Sequence, residues 1–276
     1  MRQDPLAIFA IVQNEPVWLP IWVDFYRRHV DPEHLYVLDH DSTGEGAAVL
    51  HDLRARFGIQ VVPVHRRESF DHAWLRDTVA RFQRFLLASY RAVLFAEVDE
   101  IVSPTPGSPS ATLTEYSERV IGRPEGRRSA DYVKCRGYEV VHQPEVEPAI
   151  DWKRPLLAQR SKWYESRLYS KTLLSQVPLT WENGFHDLER KRMRRKQVEP
   201  DLILVHLHKI DYEFCRARHE EAAKRRWSAA DLESGAGRQN RFVDDDELDS
   251  FFATTIDDRK SPAPLVDIPE PLKSIV

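Results

Sequence analysis

The sequence predicts an α/β fold with a mostly parallel central sheet flanked by helices. Two observations carry this prediction. Short apolar runs rich in β-branched residues alternate with helical spacings through roughly the first hundred residues. The fourth run, Val93-Leu94-Phe95-Ala96, stops at Glu97-Val98-Asp99-Glu100, with three acids in four residues. Its apolar part reads as a strand buried in a parallel sheet. Acids at the carboxyl end of such a strand stand where open α/β sheets bind their ligands. Carboxylates there can hold a divalent cation, and a cation can hold a diphosphate.

The elements follow in order. Leu6 to Val12 is the first strand. Pro16 to His29 is helical, with Trp18, Leu19, Trp22, Phe25 and Tyr26 in phase. Leu35 to Leu38 is the second strand and ends at Asp39. Glu45 to Phe57 is a helix, Ile59 to Val64 the third strand, and Asp71 to Tyr90 a long helix carrying Trp74, Val79, Phe82, Phe85 and Leu86. Val93 to Ala96 closes the series, and right-handed crossovers then give a Rossmann-like half. The second half is less regular. Strands are expected at Tyr132–His142, Leu168–Leu174 and Leu202–Leu207, and a helix at Tyr212–Trp227. Loops are expected at Pro104–Pro109, Pro178–Leu188 and Ser234–Asn240, and the proline-rich residues from Ser261 read as a wrapping or loose tail.

The bulk numbers exclude several classes. A net charge of -4 argues against a nucleic-acid binder. A hydrophobic share of 42% supports a sizeable core, while mean hydropathy of -0.52 indicates a soluble chain. Cys135 and Cys215 form no C-x-x-C pattern and read as reduced thiols, so a cytoplasmic location is expected. No run reaches the roughly 18 apolar residues of a membrane span, and no signal-peptide pattern opens the chain. The basic run Arg190 to Lys196 reads as a solvated loop, or as a peripheral contact with an anionic acceptor or membrane surface.

Four groups bear chemistry. Gln13-Asn14-Glu15 follows strand one, where polar side chains could meet a base or ribose; alternatively, Asn14 caps a helix with Pro16 in its first turn. Asp39-His40-Asp41-Ser42-Thr43-Gly44 follows strand two, where an acid often binds a ribose; a polar turn is the alternative. In the third group Asp99 is the first choice of metal ligand, Glu97 points to the same side, and Glu100 points the other way toward a structural salt bridge. The fourth is His186, His206 and His208, one of which is expected to complete the metal site beside the carboxylates.

Together these residues resemble the GT-A glycosyltransferases, in particular the family-2-like branch with an N-E opening and a D-x-D-E motif. Asn14-Glu15 with Trp18-Leu19 and Trp22 matches the opening. Asp39, Ser42 and Thr43 match a D-x-x-S-T segment, and Glu97-Val98-Asp99-Glu100 stands at D-x-D-E. Lys171 with Pro178 and His186 is similar to a lysine-then-histidine segment, and His206 or His208 to a late histidine. Two departures are Glu97 for the first acid and Gly44 for the acid after S-T.

The resemblance implies a metal-dependent, inverting transfer of a sugar from a nucleoside diphosphate donor, UDP-linked, to a saccharide or glycolipid acceptor. It implies Mn²⁺ or Mg²⁺ on Asp99 with His186 or His208. Asn14, Glu15, Asp39 and Ser42 would hold the nucleoside side of the donor, Glu97 a ribose or metal-bound water, and Lys171 a phosphate. Asp187 and Glu182 are the expected bases on the acceptor. Residues 1–103 would form the nucleotide-sugar-binding half and 104–276 the acceptor half, with the C-terminal helix and tail, in one continuous domain. Two rival readings remain: a metallohydrolase built on His206, His208 and Asp211, and a non-catalytic sugar-nucleotide-binding module.

Overall fold

The computed structural model describes residues 3–65, 69–121, 129–189, 196–253 and 263–276, with 196–200 described as backbone only. The first half follows the expected rhythm: β1 (Asp4–Val12), α1 (Trp18–Tyr26), β2 (Leu35–Asp39), α2 (Gly44–Phe57), β3 (Gln60–Pro63), α3 (His72–Leu86) and β4 (Tyr90–Phe95). These strands lie in the order β3-β2-β1-β4 and every pairing is parallel. Residues Leu6 to Ala10 and Ala92 to Phe95 are buried, as strands covered on both faces must be. Because β2 lies on one side of β1 and β4 on the other, the winding reverses between β1 and β4. Open sheets leave a ligand crevice at that reversal, outside the carboxyl ends of the strands.

The second half adds β5 (Glu100–Pro104), α4 (Leu113–Val120), β6 (Tyr132–Val141), β7 (Lys162–Glu165), β8 (Thr172–Ser175) and β9 (Lys196–His206). It continues with α5 (Tyr212–Lys224), α6 (Ala229–Ser234), α7 (Asp245–Ala253) and β10 (Val266–Asp267). β8 pairs antiparallel with β4 and β6, β6 with β7, and β7 with β10. β9 runs parallel to β6 and antiparallel to β5. One central sheet flanked by helices runs through both halves, parallel across β3-β2-β1-β4 and mixed beyond, and the expected fold class holds.

Several boundaries differ from the sequence expectation. The long helix ends at Leu86, and Tyr90, read as helical, begins β4. Phe85, counted in the helical stripe, is 69% exposed, so the apolar phase overshot the packed face. The strand expected from Leu168 begins only at Thr172. Leading from the acidic cluster, β5 was not foreseen, nor were β7 and α4. The tail wraps: the Leu156 N–H donates to the Val276 carbonyl at 2.8 Å, and Arg28 donates to the Ile275 carbonyl at 2.9 Å. The Arg190–Lys196 run lies outside the described residues except for the backbone of Lys196. Among the described residues no helix is long and apolar enough to cross a membrane.

His29 joins α1 to α4. Its ring Nδ1 accepts the Leu113 N–H at 3.3 Å, and its carbonyl accepts the Thr114 hydroxyl at 2.7 Å. Burial, helped by the Arg28 charge, pushes this imidazole down to about 4. His186 and His219 are pushed down to about 4 as well, burial again leading. Between 4 and the ordinary 6.5 the unfolded chain binds a proton that the folded chain refuses. This stability is full above pH 6.5 and drains as pH falls toward 4, by about 3 kcal/mol for His29. His29→Gln is expected to remove part of that acid slope in denaturant titrations, a slope to which His186, His208 and His219 also contribute.

Candidate active site

A cleft of about 700 Å³ opens at the carboxyl ends of β1 and β4 and is faced by α5. Asn14 and Glu15 enter it from β1, and Glu97 and Asp99 from β4. The loop before β8 contributes Tyr169 and Lys171, the turn after it His186, and the end of β9 His206 and His208. The reversal of winding therefore brings together eight residues singled out in the sequence.

At its floor, Asp99, His206 and His208 each offer a ligand atom, all within 4.8 Å of one another. His206 engages Glu139 through Nδ1 at 2.6 Å, which leaves Nε2 for a metal. A carboxylate behind a ligating imidazole fixes its ring and raises its basicity. Burial alone would lower His206, but Glu139 outweighs it, and the imidazole is pushed up to about 9. Burial would raise Asp99; His208, Arg218 and His206 more than reverse this and hold it ionised. One ionised carboxylate and two imidazoles form a donor set that suits a divalent transition metal. His186 lies outside this group: its Nδ1 faces the Leu168 carbonyl at 2.7 Å, and burial keeps the ring neutral at pH 7.

Lys171, expected at a donor phosphate, is committed elsewhere. Its ammonium lies 2.8 Å from Glu97 and 2.5 Å from Glu100, and the side chain is 2% exposed. Glu100 is fully buried, so the salt bridge expected of it is present, with Lys171 as its partner. Burial would lower Lys171, but the two carboxylates more than offset this and keep it charged. Glu97 remains 36% exposed, facing the cleft from the far side of the same ammonium.

Asn14 does not cap α1, whose N-cap is Val17 without a side-chain bond. Its Oδ1 accepts the Thr43 N–H at 2.7 Å instead, holding the start of α2. The Asn14 N–H donates to the Ser42 hydroxyl at 3.0 Å, and Asp39 accepts the Ser42 N–H at 2.9 Å. These three residues lock the loops after β1 and β2 together; of them only Asn14 lines the cleft. The packing is close: a Cβ on Gly46 would meet the Asn14 Cα at 2.7 Å.

Glu182 and Asp187 do not line the cleft. The Glu182 N–H donates to the Asp187 carbonyl at 2.9 Å, so the pair closes the base of a turn whose inner residues, Asn183 to His186, do line it. Asp211 is placed away from the histidines. Its Oδ1 caps α5 through the Phe214 N–H, and its Oδ2 accepts the Ile150 N–H and pairs with Arg160 at 3.3 Å. The hydrolase built on Asp211 therefore lacks its acid.

Sequence reasoning missed two residues. Arg218 on α5 lies 3.2 Å from Glu15 and 3.8 Å from Asp99, placing a cation beside the acids. The tryptophan–arginine contact beneath it, 5.9 Å from the Trp18 ring, steadies that position. The helix was legible, but its rotation against the sheet was not. Tyr169 stacks on His206 with ring centroids 4.1 Å apart. This requires Gly137 on β6, where a Cβ would meet the Tyr169 backbone at 2.1 Å. Gly137→Ala is expected to displace the loop that carries Tyr169 and Lys171 and to lower stability by about 2–4 kcal/mol. Thermal unfolding of the variant against the wild type checks this.

No family model matches the chain, and no curated protein matches it. Among solved structures it is similar to TarS 1-349 of S. aureus in complex with UDP, at 12% identity and a TM-score of 0.44, covering 86% of this chain and 69% of that one. It is also similar to glucosyl-3-phosphoglycerate synthase from Mycobacterium tuberculosis in complex with Mn²⁺, UDP and glucosyl-3-phosphoglycerate. There the identity is 18% and the TM-score 0.33, over 62% of this chain and 56% of that one. Both scores are too low to carry fold or function to this chain.

Proposed function

We propose that the chain is a metal-dependent glycosyltransferase of the GT-A kind that uses a nucleoside diphosphate sugar, UDP-linked. One observation carries the reading: Asp99, held ionised, meets His206 and His208 at the reversal between β1 and β4. Asp99 and His206, with His208 beside them, would hold Mn²⁺ or Mg²⁺. When bound, the ion supplies positive charge against the leaving diphosphate.

The chain's own residues complete the site. Arg218 places a second cation beside Asp99, where charge develops on the leaving group. Asn14 and Glu15 line the cleft at the end of β1, where they would meet the nucleoside. Glu97, held by Lys171, presents its exposed edge to the ribose or to water. Of the acceptor-side groups, His186 lines the cleft and is neutral, with Nε2 as its lone-pair nitrogen if Nδ1–H donates to Leu168. We assign the acceptor proton to His186 rather than to Asp187 or Glu182, which would hold the turn. An inverting transfer to a saccharide or glycolipid acceptor follows from the resemblance.

The test is a panel of UDP-, GDP- and CDP-linked sugars, assayed for release of the nucleoside diphosphate with and without Mn²⁺. Release from one nucleotide class that depends on the metal supports the reading. Release from none, with metal present, rejects it.

A further inference from the structure

A second cluster adjoins the first. His208, Cys215 and His219 offer ligand atoms within 4.8 Å of one another. Cys215 and His219 are one helical turn apart on α5 and point to the same side. His208 approaches from the segment after β9, with its Nε2 2.9 Å from the His219 Nε2. The Cys215 sulfur lies 3.6 Å from that same His219 nitrogen.

Neutral imidazoles do not suit this arrangement. The His219 Nδ1 lies 3.1 Å from the Phe242 carbonyl, an acceptor only, so Nδ1 carries the proton and Nε2 a lone pair. His208 turns Nδ1 toward the Asp99 carboxylate at 3.7 Å. With its proton on Nδ1, its Nε2 lone pair faces the His219 lone pair; with its proton on Nε2, its Nδ1 lone pair faces a carboxylate. Each neutral tautomer leaves one repulsive contact. A proton on both nitrogens would relieve the pair and leaves Cys215 a thiol beside His219. A cation between the nitrogens relieves it and uses the sulfur.

We propose that His208 Nε2, His219 Nε2 and the Cys215 thiolate form a second metal site, taking Zn²⁺ or a similarly soft divalent ion. Bond lengths of about 2.05 Å to nitrogen and about 2.3 Å to sulfur, at tetrahedral angles, require S···N near 3.6 Å and N···N near 3.3 Å. The sulfur distance already fits, and the nitrogens need to part by a few tenths of an ångström. Coordination displaces the thiol proton to solvent. Outer partners are in place: the Phe242 carbonyl on His219 and the Asp99 carboxylate beside His208. Phe251 packs against both rings, with centroids 5.6 and 5.5 Å away, and Leu248 and Phe252 pack against Cys215. One thiolate and two imidazoles favour zinc over the harder Mg²⁺ or Mn²⁺. The site goes beyond the donor-metal reading but shares His208 with it. Zinc on Nε2 would leave Asp99 and His206 as the donor-metal ligands.

The test is metal analysis of the purified chain, followed by replacement of the ion with Co²⁺ and absorption spectroscopy. About one zinc per chain is expected, and the cobalt form should show a sulfur-to-metal charge-transfer band and tetrahedral d–d bands. Cys215→Ser, near-isosteric, is expected to abolish the charge-transfer band while its far-ultraviolet circular dichroism stays unchanged. A wild-type chain that retains no zinc and shows no such band with Co²⁺ overturns the proposal, whether or not the variant folds. UDP binding with Mn²⁺ by a wild type that retains no zinc and shows no such band would sink this site alone. Stoichiometric zinc in a chain that binds no nucleotide would sink the donor-site reading alone.

Discussion

Asp99→Asn is expected to remove Mn²⁺-dependent nucleotide binding and leave the fold in place. Losing even an outer-shell partner costs about 10–100-fold in metal affinity, so losing a direct carboxylate ligand should exceed that range. Sugar transfer should fall by at least about 100-fold with it. The fold survives because the change orphans no buried charge: Arg218 keeps Glu15 at 3.2 Å, and His206 keeps Glu139 at 2.6 Å. The backbone bond from the Leu207 N–H to the Asp99 carbonyl is untouched. Asp187→Asn provides the comparison. Asp187 does not line the cleft, so nucleotide binding with Mn²⁺ should persist. Equal loss in both variants would point to general disruption of the cleft, not to a metal ligand.

Lys171→Met is expected to be the most destabilising of the substitutions considered. It removes the cation from between Glu97 and Glu100, and Glu100 has no exposure through which water could replace it. Breaking a buried ion pair from one side costs about 3–5 kcal/mol. The cost should depend on pH. Burial already raises the Glu100 carboxyl, against the lowering effect of Lys171. Without the ammonium that carboxyl rises further, so the folded variant binds a proton that the unfolded chain releases above about 4.5. The deficit should therefore be smallest in acid and grow as pH rises through the folded value. Adding Glu100→Gln should recover part of the loss, because it removes the stranded charge. Denaturant titrations of the single and double variants at pH 5 and pH 8 check both statements.

The alternation of strands and helices was legible through β4 because parallel strands buried on both faces read as unbroken apolar runs. The site's position followed from the same reading, since Asn14, Glu15 and Asp99 directly follow strands and strand ends are fixed by the fold. What failed was pairing across distance. Lys171 and Glu100 are 71 positions apart, and nothing local announces that a loop acid is fully buried against a lysine so far along the chain. For the same reason β5 was missed: it opens with that glutamate. In contrast, α4 carried a local signal that went unread, the capping box of Thr112 and Glu115. Asp39 and Ser42 were placed at the right strand end, yet Asp39 bonds to Ser42, Ser42 bonds to Asn14, and neither lines the cleft. Which way a strand-end side chain turns depends on its neighbours across the sheet, and a single sequence does not display them. Cys215 shows the converse: read alone it was a reduced thiol, yet α5 sets it one turn from His219, and the docking of that helix adds His208.

The measurement that bears most directly on the central claim is calorimetric titration of the chain with UDP, with and without Mn²⁺, on the wild type and on Asp99→Asn. The account predicts one UDP site per chain that appears only with the metal and is absent from the variant. UDP binding that ignores both the metal and Asp99 would contradict it, as would no binding of UDP, GDP or CDP with Mn²⁺ present.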